Sequence, residues 1–303
     1  MGTIQLAKDL PRHILDIRSL GKSGIEQIIS ANEPDISEKG DNVALLFFES
    51  STRTRLSFEL AALNLNCRII SPNLETSSIQ KGETALDTVT TVAAMGVDQI
   101  ILRSHENGFS ARAAAALGDS CRIINAGDGT NQHPSQALTD LYILKKHCPV
   151  AWPDLKVGIV GNISHSRVAN SLIDGLSLVG AQSLHLIGPE SWLPRKKPDF
   201  ARCFDQLEEG LRGLHAIIVL RPQWERIQNI THDQIMSLQA DFQLQNKHLQ
   251  LMAPNAILLH PGPVLWGKEI STELMHNNSV KIKEQVTAGV TIRKTLLGIN
   301  RAK

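Results

Sequence analysis

Short apolar runs rich in β-branched residues alternate with longer stretches of helical spacing, and this alternation limits what the chain can fold into. The runs lie at 43–48, 68–70, 99–102, 122–124, 156–160, 183–187, 216–220 and 256–259. Helical spacing occupies 56–63, 85–95, 109–117, 134–147 and 167–178. Strand, helix, strand in repetition predicts an α/β fold of parallel sheets covered by helices. One large sheet would accommodate all the runs, but two sheets fit a chain of 303 residues better. The Pro-containing break Cys148-Pro149-Val150-Ala151-Trp152-Pro153-Asp154 interrupts the alternation. It places a domain junction there or slightly earlier, along the 134–147 helix. The expected domains are 1–140 and 141–284, with a last helical segment at 285–303.

Charge and cysteine usage exclude several classes of protein. The formal net charge is +1, so no bulk field favours nucleic acid or an acidic membrane. No apolar run approaches the roughly 20 residues that a membrane-spanning helix needs. The segment 1–10 lacks the basic and apolar regions of a signal peptide. Cys67, Cys121, Cys148 and Cys203 are far apart in sequence, which gives neither a zinc pattern nor a disulfide framework. A soluble protein of the reducing cytoplasm is expected, without nucleic-acid or membrane partners.

The run Phe47-Phe48-Glu49-Ser50-Ser51-Thr52-Arg53-Thr54-Arg55 sits where an expected strand becomes a helix. Amide groups at a helix N-terminus, together with hydroxyls and planar guanidinium forks, suit a phosphate. Read alone, the run also fits a capped surface helix with solvated arginines. Two other segments imitate nucleotide motifs. Gly21-Lys22-Ser23 lacks the upstream P-loop glycine, because Asp16 holds that position. Gly158 to Asn162 lacks the G-x-G-x-x-G pattern. The eleven histidines form no HExxH or similar cluster, so no metal site is expected.

Ser51-Thr52-Arg53-Thr54-Arg55 resembles the carbamoyl-phosphate motif of the transcarbamylases. Further segments match that family in order: 77–84, 125–129, 132–140, 160–167, 220–226 and 259–263. The resemblance spans nearly the whole chain and is nearest to the aspartate branch. It implies transfer of a carbamoyl group from carbamoyl phosphate to L-aspartate, giving N-carbamoyl-L-aspartate and phosphate, with no metal or organic cofactor. It also implies that the final helix returns to the N-terminal domain.

The same resemblance implies residue roles. Ser51, Thr52, Arg53 and Thr54 hold the phosphate, and Arg55 is structural. Ser77 and Lys81, on a polar loop, reach the active site of a neighbouring subunit, which makes the protein a homotrimer with shared sites. Arg103, His133 and Thr54 contact the carbamoyl oxygen, and Gln136 holds the carbamoyl nitrogen. A helix N-terminus beside His133 favours the neutral imidazole, which can donate to a carbonyl oxygen. Arg167, Arg221 and Gln223 grip aspartate, together with Pro261 and Gly262. Glu49 serves domain closure, with Arg167 and Arg226 as expected partners. Some family members assemble with regulatory chains or dihydroorotase, and the sequence leaves that open.

Three places depart from the family pattern. Leu265-Trp266 stand where Asn-Arg is usual, Asn162 where Asp is usual, and Pro222 and Trp224 alter the segment around Gln223. They keep two alternatives in view: another transcarbamylase, ornithine being the nearest rival substrate, or a weakly active scaffold chain. His260-Pro261-Gly262-Pro263 and Lys81 disfavour the ornithine enzyme. Retained Arg53, Lys81, His133 and Arg167 disfavour the scaffold.

Overall fold

Among the described residues, parallel pairing joins nine strands into two sheets, one in each of two compact units. The computed structural model describes residues 10–31, 40–74, 82–221 and 240–299. The first unit comprises Met1–Thr139 and Thr287–Lys303, and the second Asp140–Val286. The architecture is the expected α/β one, a helix-flanked parallel sheet in each unit. Among the described residues no helix is long and apolar enough to cross a membrane.

The first sheet contains β1 (Asn42–Phe47), β2 (Arg68–Ile70), β3 (Gln99–Ser104) and β4 (Arg122–Asp128). Its order is β2-β1-β3-β4, with every pair parallel. Its helices are α1 (Gly21–Ser30), α2 (Thr52–Leu63), α3 (Ala85–Ala94) and α4 (Phe109–Leu117), and α5 (Pro134–His147) leaves the unit. Val43, Ala44, Leu45 and Leu46 are all buried, as a strand covered on both faces requires. Between Leu102 and Ser104 the β3–β4 register shifts, so β4 carries one more residue than β3 there. Such a bulge re-aims the side chain beside it, here Arg103.

The second sheet contains β5 (Lys156–Val160), β6 (Ser183–Ile187), β7 (Ala201–Phe204), β8 (Ala216–Val219) and β9 (Ile257–Leu259). Its order is β7-β6-β5-β8-β9, again all parallel. Its helices are α6 (Arg167–Val179), α7 (Leu207–Leu211) and α8 (Asn246–Leu249), and α9 (Ile282–Gly298) leads back to the first unit. The sequence pattern does not predict β7. Only Ala201 of its residues is buried, and Arg202 interrupts the apolar residues of this edge strand. It therefore lacks the continuous apolar run that marks the inner strands.

Each sheet reverses its winding direction once. In the first, the chain passes from β1 to β2 on one side and then to β3 on the other. In the second, β5, β6 and β7 run outward, and β8 then pairs on the opposite side of β5. Ligands of open parallel sheets bind at the carboxyl ends of the strands flanking such a reversal. The expected sites are therefore the ends of β1 and β3, and of β5 and β8.

The returning end of α9 is held by one buried cation. Arg122 Nη1 donates to Leu296 O (2.8 Å), Ile299 O (2.9 Å) and Gln99 Oε1 (3.1 Å), and its Nε donates to Arg12 O (2.6 Å). A cation at a helix C-terminus satisfies the last carbonyls and complements the dipole. Burial, and then the nearby Arg12 charge, pull its pKa down to about 10, so it remains charged at neutral pH. Arg122→Met would leave these buried carbonyls without their donor. It should destabilise the first unit by about 3 kcal/mol, read as a lower urea midpoint.

Candidate active site

At the carboxyl end of β1 the chain turns directly into α2. Ser51 is the N-cap residue in extended conformation, yet its hydroxyl makes no capping bond. The caps of α3 and α6 behave differently: Thr84 accepts from Asp87 N, and Ser166 from Ala169 N. An N-terminus whose cap hydroxyl is not folded onto it is suited to an external anion. Thr52 and Arg53 are exposed, Ser51 is half-buried and Thr54 is buried. Arg55 is turned away onto its own unit. Its Nε donates to Glu59 Oε1 (3.1 Å) and its Nη2 to Ser71 Oγ (2.6 Å).

Arg103, at the end of β3, is buried and held from two directions. Nη1 donates to Ala126 O (3.0 Å) across the bulge, and Nη2 to Glu49 Oε1 (3.1 Å). Glu49 thus balances a buried guanidinium within the first unit. β4 ends in Asp128, whose N–H donates to Gln132 O (3.0 Å), and this turn delivers His133 to the start of α5. The amides of Gln136 and Ala137 donate to His133 O, so α5 begins on this residue. The His133 ring is buried, and the Ser135 hydroxyl lies 3.5 Å from its Nδ1. Gln136 is buried on the first turn of α5. Ser51, Thr52, Arg53, Thr54, Arg103, His133 and Gln136 therefore all lie on one unit, at the carboxyl ends of its strands or on the helices that follow.

In the second unit β5 turns into α6 through Gly161. Its φ is 118°, and a Cβ there would meet Leu220 O at 2.8 Å, so the close approach of β5 and β8 requires glycine. Arg167 is the first residue of α6 and is buried. Asn162 is buried in the turn, and its Oδ1 lies 3.0 Å from His165 Nδ1. Arg221 follows β8 and is half-buried. Arg167 and Arg221 thus occupy the two sides of the second reversal. Pro261 and Gly262 follow β9, on the far side of β8. Ser77, Lys81, Gln223 and Arg226 lie outside the described residues.

Sequence reasoning missed a buried group behind Pro261 and Gly262. His260 Nδ1 accepts from Gly262 N (2.8 Å), and its Nε2 lies 3.2 Å from Glu269 Oε1. The same Glu269 oxygen accepts from Leu265 N (2.9 Å). Gln285 Oε1 accepts from His260 N (3.0 Å), while its Nε2 donates to Asp140 Oδ1 (2.6 Å). No local motif announces Gln285, whose partners His260 and Asp140 lie 25 and 145 positions away, and the nine-residue spacing of His260 and Glu269 follows neither helix nor strand period. The unusual Leu265 uses its backbone here, and Trp266 packs against the core of the second unit. Burial pushes the thiols of Cys121 and Cys148 up to about 11, so neither is a thiolate nucleophile near neutrality.

Comparison with known proteins assigns both halves. Residues 7–146 match the family described as "Aspartate/ornithine carbamoyltransferase, carbamoyl-P binding domain". Residues 153–299 match "Aspartate/ornithine carbamoyltransferase, Asp/Orn binding domain". The aspartate carbamoyltransferase catalytic subunit of Coxiella burnetii (strain Dugway 5J108-111) is 42% identical over 301 residues, covering 95% of this chain and 96% of that protein. That of Legionella pneumophila (strain Lens) is 40% identical over 294 residues, with 94% and 98% covered. The fold is shared with aspartate transcarbamoylase from Trypanosoma cruzi in complex with carbamoyl aspartate and phosphate, at TM-score 0.85, 22% identity and 98% coverage of each chain. The catalytic subunit of M. jannaschii aspartate transcarbamoylase gives a TM-score of 0.80 at 26% identity, covering 95% of this chain and 97% of that one. With family matches over both units and relatives of this identity along almost its full length, the chain belongs to the aspartate/ornithine carbamoyltransferase family.

Proposed function

We propose that this chain transfers the carbamoyl group of carbamoyl phosphate to the amine of L-aspartate, forming N-carbamoyl-L-aspartate and phosphate for pyrimidine synthesis. The observation that carries this reading is the 42% identity, over 95% of the chain, to an aspartate carbamoyltransferase catalytic subunit. Arginine positions at the strand reversals of both units are consistent with it.

Ser51, Thr52, Arg53 and Thr54 bind the phosphate, and a neighbouring subunit adds Ser77 and Lys81. Thr54, Arg103 and His133 donate to the carbamoyl oxygen, and Gln136 takes the carbamoyl nitrogen. Arg167, Arg221 and Gln223 bind the two carboxylates of aspartate, with Pro261 and Gly262 beside them. The amine attacks the carbonyl carbon, and charge builds on the carbonyl oxygen in the tetrahedral state. The C–O bond to phosphate then breaks, and the departing phosphate takes the amine proton. No protein nucleophile takes part. Catalysis is orientation together with donors aimed at charge that grows during the reaction.

Donors to the carbamoyl oxygen matter most when that oxygen is an anion. His133→Ala should therefore lower kcat by about tenfold to a thousandfold while changing carbamoyl-phosphate affinity far less. Steady-state kinetics and direct binding measurements separate the two effects. Near-normal turnover would reduce His133 to a structural role. An ornithine arm of the same assay should stay silent.

We further propose a homotrimer with shared sites, working in the cytoplasm. Leu56, Leu60 and Leu63 are 58%, 49% and 59% exposed and recur at helical spacing along α2, the helix that starts at Ser51. An apolar stripe of this kind suits contact with another copy. The described cysteines are free thiols, as a reducing compartment maintains them. If Lys81 serves the neighbouring site, Arg53→Ala and Lys81→Gln should each be nearly inactive. Mixed trimers of the two should regain about one complete site of three, because the ring places one intact Arg53 chain beside one intact Lys81 loop. Carbamoylaspartate formation is assayed after native mass spectrometry has verified subunit exchange. Activity no higher than the mean of the parents would place each site within one chain.

A further inference from the structure

The group behind Pro261 and Gly262 has the form of a latch. Its members are buried: His260 is 2% exposed, Glu269 and Gln285 3%, and Asp140 0%. Two of its bonds reach backbone amides of the loop that follows β9, at Gly262 and Leu265. Its other end is anchored on helices, at Asp140 of α5 and Gln285 of α9.

Bond directions fix the state of the imidazole. The Gly262 N–H is a donor, so His260 Nδ1 carries no proton. The ring proton therefore sits on Nε2 and points to Glu269 Oε1. One carboxylate oxygen thus accepts from the ring and from Leu265 N–H, and ties the two ends of the loop together. The ring, in turn, sets the peptide between Pro261 and Gly262. In a trans peptide the C=O points opposite to the N–H. With the Gly262 N–H held toward the ring, the Pro261 carbonyl faces away from it.

We infer that Glu269, acting through His260 and anchored by Gln285, is a positioning residue that sets the loop at Pro261 and Gly262 for aspartate. This rests on the assignment of that loop to aspartate binding. Glu269 works by reach, since what matters is an oxygen placed to accept two N–H groups at once. Its net charge is secondary.

Two conservative variants separate reach from charge. Glu269→Gln keeps the accepting oxygen at the same distance and loses the charge. Glu269→Asp keeps the charge and draws the oxygen back by one methylene. We expect an aspartate KM within about threefold of the parent for Glu269→Gln and raised about tenfold or more for Glu269→Asp. Carbamoyl-phosphate affinity should be unchanged in both. Amide hydrogen exchange at Gly262 and Leu265 should accelerate in Glu269→Asp only. Arg167→Ala, measured in parallel, tests the aspartate assignment by itself. If Arg167→Ala raises the aspartate KM and Glu269→Asp does not, the positioning role is overturned while the assignment stands. A KM that follows charge, raised in Glu269→Gln and normal in Glu269→Asp, also overturns it. If Arg167→Ala leaves the aspartate KM unchanged, the assignment fails and the positioning role fails with it.

Discussion

The parallel pairing of β1 with β3 in one unit, and of β5 with β8 in the other, is the constraint on which the remaining structure depends. Both pairs join strands that are not consecutive in sequence. Each opens a crevice where adjacent strand ends lead away in opposite directions. Loops at these ends are free to carry polar groups, because the strands below bury the apolar ones. Val43 to Leu46 are buried, and the polar run from Glu49 follows at once. In the second unit Val157, Ile159 and Val160 are buried, and Arg167 follows after a turn that only glycine can make at Gly161.

Inner strands were legible because burial on both faces leaves uninterrupted β-branched runs. The edge strand Ala201–Phe204 was not, because exposure breaks its run. β4 extends to Asp128, beyond the apolar stretch that marked it, since its last residues are buried through backbone pairing and side-chain hydrogen bonds. The phosphate-type motif from Ser51 was readable as residue types in order. That the Ser51 hydroxyl makes no capping bond was not, because capping depends on a side-chain rotamer. Arg122 looked like an ordinary strand residue, and its three main-chain carbonyl partners lie more than a hundred positions away. In the loop latch, the bonds of Gln285 to His260 and Asp140 were hidden in the same way. Contacts that join distant segments leave no periodic trace.

Arg103 shows how electrostatics and backbone irregularity act together. A guanidinium buried without a partner is strongly destabilising. Glu49 answers that need at 3.1 Å, and Ala126 O holds the other arm at 3.0 Å. The bulge puts that carbonyl within reach by giving β4 one extra residue opposite Arg103. The fork is thereby oriented before any ligand arrives, so its ordering entropy is already met in folding. The expected role of Glu49 as a domain-closing residue therefore has a local counterpart inside the first unit.

The departures around Leu265 and Trp266 bear on different physics from a lost catalytic group. A side-chain contact to substrate is erased by a change of residue, whereas a backbone contact survives it. Leu265 meets Glu269 through its N–H, which any residue except proline supplies. Trp266 is half-buried against the apolar core of its unit, where a large ring contributes packing. The loop is thus fixed by its backbone and by three side chains that lie outside the 264–266 segment: His260, Glu269 and Gln285. Variation at these two positions is compatible with an intact aspartate half, because the hydrogen bonds that shape the loop do not pass through the side chains that changed.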